Sequence, residues 1–174
     1  MKRFFAAAAL IAGCLCSQAQ DLGIKAGVNF SNFGGGDADG FNVLTGFHAG
    51  IFTEVQLLRH LSFQPELLYS KHGAKRQDAE YELNYLNVPA VFKLYLNEGF
   101  NIQAGPQFGL LISESDNFNG FNSKTYDLGV ALGAEFYIAD GLFVQGRYIY
   151  GTSSVSSERD IKNTGIQVSL GYQF

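Results

Sequence analysis

The sequence predicts an all-β fold, an eight-stranded antiparallel up-and-down transmembrane β-barrel, and three observations carry that prediction. Apolar residues alternate with polar residues or glycine along eight segments. The connections between those segments alternate short and long. Finally, 47% of the chain is hydrophobic, yet after the first twenty residues no apolar run reaches the ~18 residues of a membrane helix. Apolar side chains in that number, without a helix to carry them, must line strand faces.

The chain opens on Lys2 and Arg3, followed by an apolar run from Phe4 to Leu15 and small residues at Ser17 and Ala19. Basic, then apolar, then small-x-small is the pattern of a secretory signal, and a run of about twelve residues is too short to cross a bilayer as a helix. Cleavage is expected after Ala19 or Gln20, which makes 1–19 a leader and 20–174 the barrel domain. A rival reading takes Ile11-Ala12-Gly13-Cys14 as a lipobox with Cys14 lipidated. Both cysteines, Cys14 and Cys16, fall in the leader, so the mature domain would have no disulfide. The 12 basic residues less Lys2 and Arg3 leave 10 against 16 acidic ones, and the resulting net charge of −6 argues against nucleic acid as a partner.

The first segment of the barrel domain sets Leu22, Ile24, Ala26, Val28 and Phe30 on one face and Gly23, Lys25, Gly27, Asn29 and Ser31 on the other. Side chains of a strand point alternately to its two faces, so lipid on one side and a wet lumen on the other demand this pattern. Segments near 43–56, 61–71, 81–95 and 100–113 follow. The sixth, near 124–138, places Tyr126, Leu128, Val130, Leu132, Ala134, Phe136 and Ile138 opposite Thr125, Asp127, Gly129, Ala131, Gly133, Glu135 and Tyr137. A seventh runs near 142–151, and the last sets Ile166, Val168, Leu170, Tyr172 and Phe174 against Gly165, Gln167, Ser169, Gly171 and Gln173. Glycine, at 21 residues, is abundant within these segments; it weakens an ordinary strand but suits a tightly curved wall.

Alternation alone leaves open which face is outside, since a soluble ligand-binding barrel would put its apolar face inward. The connections bear on this. Short turns fall around Leu57–His60, Leu96–Gly99 and Ala139–Gly141, while polar connections of about ten residues are expected near 32–42, 72–80, 114–123 and 152–163. Short turns facing the periplasm and longer loops facing outward are the habit of outer-membrane barrels, and an even strand count then leaves both termini periplasmic. Tyr69, Tyr81, Tyr95, Phe100, Tyr126, Tyr150, Tyr172 and Phe174 lie near segment ends, where aromatic girdles flank the apolar band. Pro65, Pro89 and Pro106 fall inside segments three, four and five, where each removes a ladder donor; a shared bulged region is expected there.

These middle segments also carry a resemblance. Leu61-Ser62-Phe63-Gln64-Pro65-Glu66-Leu67-Leu68-Tyr69-Ser70-Lys71 with Gly73 resembles the third strand of the PorT-like outer-membrane β-barrel proteins common in Bacteroidetes, and Tyr85-Leu86-Asn87-Val88-Pro89-Ala90-Val91-Phe92-Lys93 their fourth. Gly105-Pro106, then Arg147-Tyr148 with Gly151, and the closing Gly171-Tyr172-Gln173-Phe174 are similar to strands five, seven and eight. The resemblance implies an eight-stranded outer-membrane barrel. A few of these proteins belong to secretion systems, but no residue motif here marks that role.

The candidate functional constellation is a set of inward charges near the short turns: Lys25, Glu54, Glu66, Lys93, Glu135 and Arg147, with His48 and Asp127 higher. They are expected to pair across the lumen, because an unpaired buried charge is costly. Such a network reads either as a gate or as packing of a barrel whose interior eight strands nearly fill. A catalytic reading would need a nucleophile with a base in reach, and only Ser70, His72 and Asp78 or Glu80 offer the components. A weak calcium loop at Asp37 and Asp39 was the only metal arrangement that the spacing suggests. The sequence therefore reads as a structural or interaction protein rather than an enzyme, without cofactor or metal; a narrow porin-like channel is the alternative, and a lipid- or peptide-modifying enzyme the next. Expected partners are outer-membrane lipid, the outer-membrane assembly machinery, which would read Tyr172 and Phe174, and proteins meeting the outer loops.

Overall fold

The structure is a computed structural model that describes residues 20–34, 42–76, 79–114, 125–153 and 162–174. The expected leader, including the lipobox alternative at Cys14, and the Asp37–Asp39 segment lie outside the described residues. Eight strands form: β1 (Gln20–Gly34), β2 (Asn42–Leu58), β3 (Leu61–Arg76), β4 (Ala79–Asn97), β5 (Phe100–Glu114), β6 (Tyr126–Ala139), β7 (Leu142–Gly151) and β8 (Lys162–Gln173). Each pairs antiparallel with its sequence neighbours, and β8 returns to β1 to close the barrel. Closure leaves no edge whose amides would need water, the condition for crossing a bilayer in strands.

The barrel is apolar outside and polar inside. Leu22, Ile24, Val28 and Phe30 of β1 are exposed, whereas Lys25, Asn29 and Ser31 between them are buried. The same alternation runs along β7, where Val144, Tyr148 and Tyr150 point out and Gln145 and Arg147 point in. A soluble barrel has the reverse arrangement, so the direction of the apolar face resolves what alternation leaves open.

Local sequence explains the turns. Arg59–His60, Glu98–Gly99 and Asp140–Gly141 are two-residue hairpin connections, the tightest that join antiparallel strands. Gly141 has φ +73°, a left-handed conformation that side chains resist, and a Cβ there would stand 2.3 Å from the Gln173 carbonyl oxygen.

Three expectations are corrected. The 72–80 segment is hairpin rather than loop: β3 continues to Arg76 and β4 begins at Ala79. Its polar residues disguise a ladder in which Lys71 ion-pairs with Glu82 at 2.7 Å and Lys75 stands in register with Glu80. No bulge accompanies the prolines, since Pro65, Pro89 and Pro106 stay in register with Ala90, Gln107 and Val130. The ladder omits rungs between Pro65 and Leu68 and between Pro89 and Phe92, then resumes unshifted. Proline lacks an amide hydrogen, so it deletes a bond without inserting a residue. The shifts among the described residues fall instead between Val43 and His48 and between Asn84 and Tyr85, and beside the short turns between Gln56 and Leu58, Tyr95 and Asn97, and Tyr137 and Ala139. Finally, Tyr95 is no girdle residue: it faces inward and its hydroxyl donates to Glu54 at 2.6 Å. Tyr69, Tyr126, Tyr150, Tyr172 and Phe174 do face outward.

Candidate functional site: a charged plug across the lumen

The six inward charges meet in one connected network. Arg147 of β7 donates through both terminal nitrogens to Glu66 of β3, at 2.9 and 2.8 Å, a bidentate pair. Lys25 of β1 adds a second cation to Glu66 at 2.8 Å, and Gln64 Nε2 donates to the same carboxylate at 2.6 Å. Lys25 also donates to Gln145 Oε1 at 2.9 Å, while Gln145 Nε2 donates to Glu135 at 2.8 Å. Glu135 accepts further from Lys93 at 2.6 Å and Asn101 at 3.0 Å; Lys93 then reaches Glu54 at 3.0 Å.

Three cations thus face three carboxylates, and Arg147, Glu66, Lys93 and Glu135 have side chains 0% exposed. Charges so placed persist only with their partners, because each loses its hydration and recovers it through these contacts. Two hairpins supply a wall for Lys93. Phe52 and Phe143 pack edge to face at 5.6 Å, with the Lys93 ammonium 5.7 and 5.6 Å from their ring centres. Their rings lie over glycines. A Cβ on Gly23 or Gly171 would fall 2.1 Å from Phe52 or 2.2 Å from Phe143.

Strand parity brings out the six charges but not the amides that join them. Gln64, Asn101, Gln103 and Gln145 also occupy inward positions and are buried; their polarity at buried positions was the signal available. Below the plug, Tyr137 donates to Gln173, and Gln173 donates to Asp21 at 2.9 Å, tying β6, β8 and β1 together.

Above the plug, His48 is clamped between β1 and β8. Asn29 spends its amide hydrogens on the Phe47 and Lys71 carbonyls, so its Oδ1 accepts from His48 Nδ1 at 2.6 Å. That tautomer leaves Nε2 to accept from Ser169 Oγ at 2.7 Å. His72 Nε2 accepts from Asn87 at 3.2 Å, and Ser70 Oγ has no hydrogen-bond partner among the described residues. The serine and histidine of the catalytic reading are therefore not joined, while Asp78 and the Glu80 side chain lie outside the described residues. Among the described residues, no group of three or more His, Cys, Asp or Glu is arranged to hold a metal ion.

Comparison with known proteins places this geometry. Residues 5–174 match the family model of the outer membrane protein β-barrel domain. Neisserial surface protein A has a similar structure, with a TM-score of 0.63 at 14% identity over 88% of this chain and 97% of that one. Ail, the attachment invasion locus protein of Yersinia pestis, is similar with a TM-score of 0.56 at 15% identity, covering 90% of this chain and 100% of that one. No curated protein matches the chain.

Proposed function

The chain belongs to the outer membrane protein β-barrel domain family, and on that premise we propose that it is an interaction or structural protein of the outer membrane whose lumen is sealed and whose work is done at its outer loops. The observation that carries this reading is the plug: balanced, hydrogen-bonded charges fill the interior between Phe52, Phe143 and the barrel wall. An eight-stranded barrel is just wide enough for side chains to fill it, so a solute path would require dismantling ion pairs that are worth keeping only together. Passage is thus disfavoured and contact favoured. Ser169 does meet a base, His48 Nε2 at 2.7 Å, but both are buried within the lumen at 3% and 1% exposed, away from any substrate, which supports a role other than catalysis.

The finer placement follows the same premise. The motifs of β3, β4 and β8 support membership of the PorT-like group of Bacteroidetes. The apolar leader supports export through a cleaved signal. Two-residue turns at all three connections of one end, against longer connections for three of the four at the other, support periplasmic termini, with lipid around the barrel and protein partners at the opposite loops. Tyr172 and Phe174, exposed on the outward face of β8 and packed at 5.3 Å, are the proposed signal to the assembly machinery.

Planar-bilayer recording of the folded protein tests the central reading. Leak-free bilayers with no stable conductance step are expected; uniform, long-lived steps from the pure protein would overturn it in favour of a narrow channel. Outer-membrane fractionation with heat-modifiable gel migration tests the address.

A further inference from the structure

Toward the long connections the lumen wall thins along one row. Gln107 of β5 pairs with Gly129 of β6, and Gly129 with Gly151 of β7, beside which stands Asn163 of β8. Two glycines in succession leave space that side chains fill elsewhere. A cavity of about 10 Å³ results, room for about one water-sized occupant, and Asp127 and Tyr85 also line it.

The polar atoms left over here are acceptors. Gln107 Oε1 and Asn163 Oδ1 are buried without a hydrogen-bond partner among the described residues. Gln107 and Asn163 are only 7% and 6% exposed. The orientation of Asn163 is set by chemistry, because its Nδ2 donates to Asp127 Oδ2 at 2.7 Å and a carboxylate accepts only hydrogen. Ser153 Oγ donates to the other oxygen of Asp127 at 2.8 Å. Asp127 has no ion-pair partner among the described residues, and no lysine or arginine lines the cavity.

We infer that this cavity is a site for a hard divalent cation of the calcium type, held by the Asp127 carboxylate and the amide oxygens of Gln107 and Asn163. Calcium takes carboxylate, amide and water oxygens in flexible geometry, which this donor set supplies. A water could satisfy the two amide oxygens, whereas a cation would also neutralise the part-buried carboxylate, which its two hydrogen bonds from Asn163 and Ser153 leave charged. A single charged ligand puts the affinity in the ~10⁻⁴–10⁻³ M range of weak extracellular sites.

Terbium(III) titration of the folded, chelator-washed protein tests the site, with excitation at tyrosine and Tyr85 as the nearby donor. Saturable terbium emission that millimolar calcium displaces is expected, falling at least tenfold in Asp127→Asn and in Gln107→Leu, with heat-modifiable migration reporting that each variant is folded. Absence of saturable emission, or emission undiminished in the folded variants, would overturn the assignment and leave the cavity to water.

Discussion

Two ion pairs of nearly equal length show how surroundings decide the value of one contact. Arg147 meets Glu66 at 2.8 Å with both side chains 0% exposed, while Lys71 meets Glu82 at 2.7 Å with both more than a quarter exposed. Solvated pairs contribute about 0–1 kcal/mol, whereas removing one member of a buried pair costs about 3–5 kcal/mol because the other is stranded. Arg147→Met should therefore destabilise the barrel by that larger amount in urea titrations from lipid vesicles, and Glu82→Gln by less than about 1 kcal/mol. Adding Glu66→Gln to Arg147→Met restores charge balance and should recover part of the loss. Equal midpoints for the two single variants would refute the argument. The glycines give a second contrast. Gly171→Val drives a side chain into Phe143 and should cost more than about 1 kcal/mol, while Gly146, with nothing within 4 Å of its Cβ position, should accept alanine within about 0.5 kcal/mol.

At the scale of elements, β8 closes the barrel on β1. The Phe174 amide donates to the Leu22 carbonyl at 2.8 Å, so the last residue extends the β1–β8 seam while its ring stays outside. Deleting Phe174 should reduce the folded outer-membrane fraction more than Phe118→Ala, whose position lies outside the described residues; equal assembly of the two would count against the proposed signal. The hairpin of β3 and β4 teaches a different lesson. Alternation in β1, β6 and β8 is legible because lipid demands apolar side chains on one face, but at the hairpin tip charged residues such as Lys71 and Glu82 stabilise the ladder instead, and their polarity mimics a loop. The prolines misled in the opposite direction. They suggest distortion, yet the barrel absorbs them as missing rungs because neighbouring strands hold the register.

For the whole molecule, closure turns eight half-apolar ribbons into a cylinder with a dry belt and a polar core. The plug and the cavity above it occupy successive levels of the same lumen, and the plug separates the cavity from the short-turn end. On the proposed reading, the sealed lumen predicts silent planar bilayers and leaves the end with the long connections as the surface on which other molecules can act. That prediction belongs to the assembled barrel, since no single strand contains a complete ion pair of the plug.

The sequence by itself determined the number of strands, their order and, away from the 72–80 hairpin tip, which residues share a face, because a period of two is a property of the extended chain and is written locally. The inward position of Lys25, Glu66 and Arg147 follows from it. Tertiary structure decided which face meets lipid, which cation meets which carboxylate, and that Tyr95 serves Glu54 rather than the girdle. Arg147 and Glu66 lie 81 residues apart, and Lys25 and Gln145 lie 120 apart. Such partners meet only when β8 closes on β1 with a particular stagger, which sets the height of every side chain in the lumen and appears in no local pattern.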